Sequence, residues 1–118
     1  MLAEPPFRAL PCAHTVRVSN VEILFTGGCP HIRQTVVLVE RVISELRVDA
    51  DLRYVEVPDA ADAVDLRFLG SPTVRVDGGD VEPGADERRD YSFGCRVYNG
   101  HGGAPDETWI RAALLPVG

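Results

Sequence analysis

The chain contains no lysine, only three cysteines, and few aromatic residues, 7% of the total. It has no Cys-x-x-Cys and no zinc-finger spacing of cysteine and histidine, which excludes the common structural zinc sites. Three cysteines cannot staple a disulfide-dense secreted scaffold, and an odd count leaves at least one thiol free within the chain. No run approaches the ~18 consecutive apolar residues that a bilayer helix needs. Residues 1–20 lack the basic-then-apolar order of a signal peptide, because Glu4, Pro5, Pro6 and Pro11 interrupt them. The expectation is a cytoplasmic protein with no membrane partner. Eighteen acidic residues against twelve arginines give a formal net charge of −6, a surface that repels phosphate backbones and argues against nucleic acid as a partner.

What is present suits one domain. A length of 118 residues can bury a core without staples. A composition 45% hydrophobic and 25% charged is ordinary for a globular chain. Residues 1–14, rich in proline and alanine, read as an irregular arm in which Cys12 is a surface thiol, and residues 15–118 form the domain.

The first strand is expected within residues 15–26, where Val21, Ile23, Leu24 and Phe25 are dense enough for a buried central position. Gly27 and Gly28 stop it, and Pro30 is placed at the first position of a helix. Ile32, Val36, Val39, Ile43 and Leu46 then recur at helical spacing and mark one apolar face. Residues 52–57 read as a second strand, closed by Pro58. Asp59 caps a short second helix, with Gly70 as its stop. Residues 73–76 read as a third strand, Asp77-Gly78-Gly79-Asp80 as a hairpin turn, and Val81-Glu82 as a short fourth strand. A polar loop over residues 85–104 precedes a last helix opened by Pro105 and Asp106, with Trp109 in the core. The order β-α-β-α-β-β-α predicts a central mixed four-stranded sheet with helices on both faces. Strands that follow a helix are expected parallel to their predecessors, and the last pair antiparallel.

Cys29 is the residue with chemistry to offer. A cysteine at a helix start meets unpaired N–H groups and the positive end of the helix dipole, which both favour the thiolate. His31 adds positive charge when protonated, and flanking glycines and proline make the position hard to bury.

The corner Gly27-Gly28-Cys29-Pro30-His31, the step Ser71-Pro72-Thr73 and the order of elements resemble the thioredoxin superfamily over about residues 21–115. The resemblance implies that Cys29 takes the place of the attacking cysteine and Pro72 that of the cis-proline lying against it. It places Gly28, Pro30, His31, Ser71, Thr73 and Arg96 around the substrate, with backbone groups of Ser71 or Thr73 open to an extended partner. Dithiol members carry a second cysteine three positions after the first, whereas this chain has Ile32 there. A mixed disulfide on Cys29 therefore needs another thiol to release it. Cys95, in Phe93-Gly94-Cys95-Arg96-Val97-Tyr98, is the candidate, with Arg96 beside it to favour its thiolate. The alternative for Cys95 is a small apolar residue packing the loop.

Longer stretches, 68–78, Val81-Glu82-Pro83-Gly84 and Cys95-Arg96-Val97-Tyr98, are similar to a group of small bacterial thioredoxin-like proteins, some of which carry the name alkylmercury lyase. Three functions follow as expectations. The first is thiol–disulfide exchange through Cys29 with protein or small-molecule thiols and disulfides, resolved by Cys95. The second is soft-metal or organomercurial handling by Cys29 and Cys95. The third is a binding module of this fold without chemistry. Nothing calls for a cofactor or a resident metal: His14, His31 and His101 lack ligand spacing, and Gly100-His101-Gly102-Gly103 lacks the strand-to-helix setting of a phosphate loop. Asp59, Asp62 and Asp65 read as a capped and solvated helix face.

Overall fold

The computed structural model describes residues 18–96, 98 and 103–115; the arm expected over residues 1–14, with Cys12 and His14, and the loop residue His101 lie outside them. Seven elements follow one another: β1 (Val18–Phe25), α1 (Ile32–Leu46), β2 (Asp49–Glu56), α2 (Ala60–Asp65), β3 (Thr73–Val76), β4 (Gly79–Asp80) and α3 (Glu107–Leu114). A 3-10 turn, Ala85–Glu87, lies in the long loop. The strands form one mixed sheet in the order β2-β1-β3-β4, so the chain is α/β with four strands and three helices among the described residues.

β1 and β2 run parallel, with Val21 opposite Leu52 and Leu24 opposite Val55. β3 corrects the expected direction. It runs antiparallel to β1, with Val21 opposite Val76 and Leu24 opposite Thr73. The reason is length. α2 has six residues, about 9 Å of helix against roughly 26 Å for the eight-residue β2, so the helix itself does not return the chain along the strand. The chain therefore re-enters the sheet at the end where β2 left it. This gathers the loop after β1 and the entry to β3 at one end of the sheet.

Alternation along the strands divides the core. Val21, Ile23, Val74 and Val76 face Val39 and Val42 of α1 and Ile110 and Leu114 of α3. Each such side chain, fully buried, contributes about 1.5–3 kcal/mol. On the opposite face Leu24 packs with Val57, Ala63 and Phe68 under α2. The apolar face read from the sequence on α1 holds: Ile32, Val36, Ile43 and Leu46 pack against the first cluster around Val39, and Trp109 joins from α3.

Several boundaries shift. β2 starts at Asp49, before the expected residue 52, and ends at Glu56. α1 begins at Ile32, with His31 as the residue before its first turn, so Pro30 lies outside the helix. The fourth strand is Gly79–Asp80 rather than Val81-Glu82, because Val76 pairs directly with Gly79 and leaves only Asp77 and Gly78 in the turn. Both turn residues have positive φ, 51° and 87°, as a two-residue hairpin of this hand requires. α2 ends at Asp65, well before Gly70. The φ of 123° at Gly70 serves a different purpose, described below.

Candidate functional site

The site is built on the entry to β3. The Ser71–Pro72 peptide bond is cis, and both residues are buried. On one side the Ser71 hydroxyl accepts a hydrogen bond of 3.0 Å from the Thr26 N–H at the end of β1. The Thr26 carbonyl in turn accepts from the Cys29 N–H at 3.2 Å. Ser71 thus ties down the turn that carries Cys29. Gly28, exposed, supplies that turn with a φ of 77°. Pro30 is also exposed.

Cys29 is a free thiol with 7% of its surface exposed. It precedes the first turn of α1 rather than standing in it, and its carbonyl accepts from the Ile32 N–H. The exposure expected from its glycine and proline neighbours is therefore corrected: the turn folds the side chain inward. His31 caps nothing with its ring. Instead the imidazole lies against Gly103, where any added Cβ would overlap it, so the segment entering α3 closes this corner.

The other side of Ser71 is covered by the loop. The Ser71 N–H donates to the Gly94 carbonyl at 2.8 Å, and the Arg96 N–H donates to the Ser71 carbonyl at 2.9 Å. Cys95 consequently stands opposite Ser71 in a parallel bridge. Cys95 is free and exposed, so it is not the packing residue of the alternative account. Gly70 permits the approach, since a Cβ there would come within 2.9 Å of the Arg96 Cβ. The backbone of Ser71, expected to be open to a substrate, is taken by the protein's own chain.

Arg96 and Thr73 are likewise engaged internally. In an extended segment, neighbouring side chains point to opposite sides. With Cys95 turned out, Arg96 is turned in and is 2% exposed. Its guanidinium pairs with Asp80 at 2.7 Å, bonds Glu82, and donates to the Thr73 hydroxyl at 3.0 Å. The Thr73 hydroxyl in turn donates a hydrogen bond to the Gly70 carbonyl. The charge expected beside the Cys95 thiol is thus matched by two carboxylates on the inner side. Burial alone would lower the Arg96 pKa, but the Asp80 and Glu82 contacts raise it overall, and it remains a cation. Only its Nε, among buried side-chain atoms described, lacks a partner.

Tyr98 completes the knot; the sequence offers it only as the end of the Cys95-Arg96-Val97-Tyr98 stretch, with no role assigned. Its hydroxyl donates to the Pro72 carbonyl at 2.6 Å, and the Arg96 guanidinium lies 4.5 Å from its ring centre. Burial pushes the Tyr98 phenol well above its ordinary value, so it stays a donor at neutral pH. A further neighbour is Glu56, whose carboxylate reaches Gly27 beside the Cys29 turn. The sequence reading places Asp80 in the hairpin turn and Glu82 in the fourth strand, with no role beyond these. Their signal was their i, i+2 spacing, which puts two carboxylates on one side of an extended segment.

Among the described residues, no three His, Cys, Asp or Glu side chains gather as a metal cluster, and no helix is long and apolar enough to cross a membrane. No family model matches the chain, and no curated protein matches it.

Proposed function

We propose that the protein is a thioredoxin-like thiol protein that exchanges disulfides through Cys95 and Cys29. The single observation behind this is that Ser71, next to the cis-proline, is hydrogen-bonded on one side to the turn bearing Cys29 and on the other to the segment bearing Cys95. The strand order β2-β1-β3-β4 with a cis Ser71–Pro72 bond supports the thioredoxin-like assignment.

Exposure sets the order of events. The Cys95 thiolate attacks one sulfur of a substrate disulfide, forms a mixed disulfide and expels the other substrate sulfur as a thiolate. The Cys29 thiolate then attacks the Cys95 sulfur and frees the second substrate sulfur. The substrate gains two electrons and takes its protons from water, and the protein is left with a Cys29–Cys95 disulfide. Two equivalents of a small cellular thiol return it to the dithiol, ending as a disulfide themselves. This reverses the roles expected from the sequence, where Cys29 attacks first.

The test is reduction of a mixed disulfide substrate by the full chain carrying Cys12→Ser, with glutathione as reductant. Cys95→Ser is expected to abolish turnover, and Cys29→Ser to leave substrate bound to Cys95 when glutathione is withheld, until added glutathione releases it. Unchanged turnover in the double variant Cys29→Ser/Cys95→Ser would overturn the proposal.

A further inference from the structure

β2 lies at one margin of the sheet, bonded to β1 on one side and to no strand on the other among the described residues. The Val57 N–H donates to the Phe25 carbonyl, and backbone groups alternate sides along a strand. Residues 51, 53 and 55 therefore turn their N–H and carbonyl groups to β1, while Ala50, Leu52 and Tyr54 turn theirs outward. Those outward groups have no partner among the described residues. The margin is eight residues long, about 26 Å, with no proline to interrupt it.

An open edge of this length is a template for another strand, and charged side chains are the common device that forbids the pairing. Here the charges alternate in sign, and they forbid every alignment of the edge with itself but one. Two copies related by a two-fold axis meet antiparallel, each residue facing its counterpart about a fixed centre. Only outward residues exchange hydrogen bonds with outward residues, so the centre falls on a residue and not between two. Centred on Asp51 or on Arg53, the pairing sets that charge against its own copy, and like charges directly opposite repel. Centred on Ala50 it opposes Asp51 to Asp49, and centred on Tyr54 it leaves both charges facing valine. Centred on Leu52, it sets Asp51 against Arg53 twice, at the non-hydrogen-bonded positions where side chains come closest.

From this register we infer that two copies of the chain pair along β2, antiparallel and centred on Leu52, joining their four-stranded sheets into one. Ala50 with Tyr54, Leu52 with Leu52 and Tyr54 with Ala50 each exchange a pair of main-chain hydrogen bonds. Asp51 and Arg53 already pair within one copy at 3.0 Å, so the two copies close an alternating square of four charges. On the other face Ala50 and Leu52 pack toward α1, and the exposed Tyr54 donates its hydroxyl to Glu40 of that helix. In the dimer Leu52 meets Leu52 of the second copy, and each Tyr54 ring covers the facing Ala50. A seam of two strands is smaller than a standard interface, so the dimer is weak, with a dissociation constant of about 100 μM. The inference stands apart from the thiol-exchange reading.

The experiment is sedimentation equilibrium of the full chain carrying Cys12→Ser, kept reduced, across about a hundredfold range of concentration around that value. Hydrogen exchange is followed on the same samples. The mass is expected to rise from one chain to two, with the Leu52 and Tyr54 amides gaining protection as it does. Arg53→Asp places an acid against Asp51 at both positions and is expected to weaken the dimer at least about tenfold. The double variant Asp51→Arg/Arg53→Asp restores opposite charges in mirror order and is expected to restore the dimer. Both side chains are exposed, and the urea midpoint checks that each variant is folded. A chain that stays single throughout, a dimer indifferent to Arg53→Asp, or one that the double variant fails to restore would overturn the inference. So would a dimer that leaves the two amides unprotected. Amides already protected in the dilute single chain would overturn it too, because another part of the same chain then holds this edge.

Discussion

Between the sheet, α1 and α3 the molecule is held by branched apolar side chains, with Val21, Ile23, Val39, Val42, Val74 and Ile110 at its centre. At the entry to β3 it is held by charge and directed hydrogen bonds, with Arg96, Asp80, Glu82, Thr73 and Tyr98 around the Ser71–Pro72 step. The two regions fail in different ways. Apolar packing is insensitive to direction and loses stability in proportion to what is removed. The polar knot depends on each partner being present, since a buried group left unpaired costs its full desolvation. Only the second region fixes where a strand of the loop lies, and with it the position of Cys95.

The largest expected effect comes from breaking the knot at its centre. Arg96→Met keeps a straight apolar stem but leaves Asp80 without its paired cation and Glu82 with Arg88 alone. A loss of about 3 kcal/mol is expected, the lower end for breaking a buried pair, because both carboxylates keep some contact with water. Urea unfolding measures it. The same variant is expected to slow Cys29–Cys95 disulfide formation, because residues 94–96 lose their anchor. Thr73→Val conserves volume and is expected to cost about 1–3 kcal/mol, since the Gly70 carbonyl and an Arg96 N–H each lose a partner. Ile23→Val, in the apolar core, removes one methyl group and is expected to cost about 0.5–1.5 kcal/mol with no change in disulfide formation. If Ile23→Val altered disulfide formation as much as Arg96→Met did, the distinction between the regions would be lost.

The smallest effect lies on the surface joining α1 to α3. Glu45, bonded by Arg111, and Glu107, bonded by Arg41, hold their carboxyls below the ordinary value of 4.5. A carboxyl lowered in the folded state adds stability above its unfolded pKa and loses it as pH falls through the folded value. The urea midpoint is therefore expected to fall slightly on acidification below the ordinary carboxylate range. Added salt is expected to shrink that difference, because these pairs lie at the surface within reach of screening ions.

Local pattern carried much of this fold. The third strand appears where its alternation put it, at Thr73–Val76, and the α1 stripe faces the core. The direction of β3 was not legible from the order of elements alone. It follows from comparing the length of α2 with that of β2, an argument about reach rather than periodicity. Cys29 and Cys95 were legible as the two thiols of interest, but their exposures were not. Which of them faces water depends on how residues 94–96 dock on Ser71, and that depends on Arg96 finding Asp80 and Glu82, residues 16 and 14 positions away. Contacts across such separations leave no periodic trace. The role of Tyr98 was not legible for the same reason: its partner is a backbone carbonyl 26 positions earlier.

The central claim is that Cys29 and Cys95 exchange one disulfide. Intact mass of the Cys12→Ser chain after mild oxidation with glutathione disulfide tests it most directly. The expected product is lighter by two hydrogen atoms, and is absent when either Cys29 or Cys95 is replaced by serine. A chain that accumulates only glutathione adducts, or keeps both thiols free to alkylation, would contradict the account.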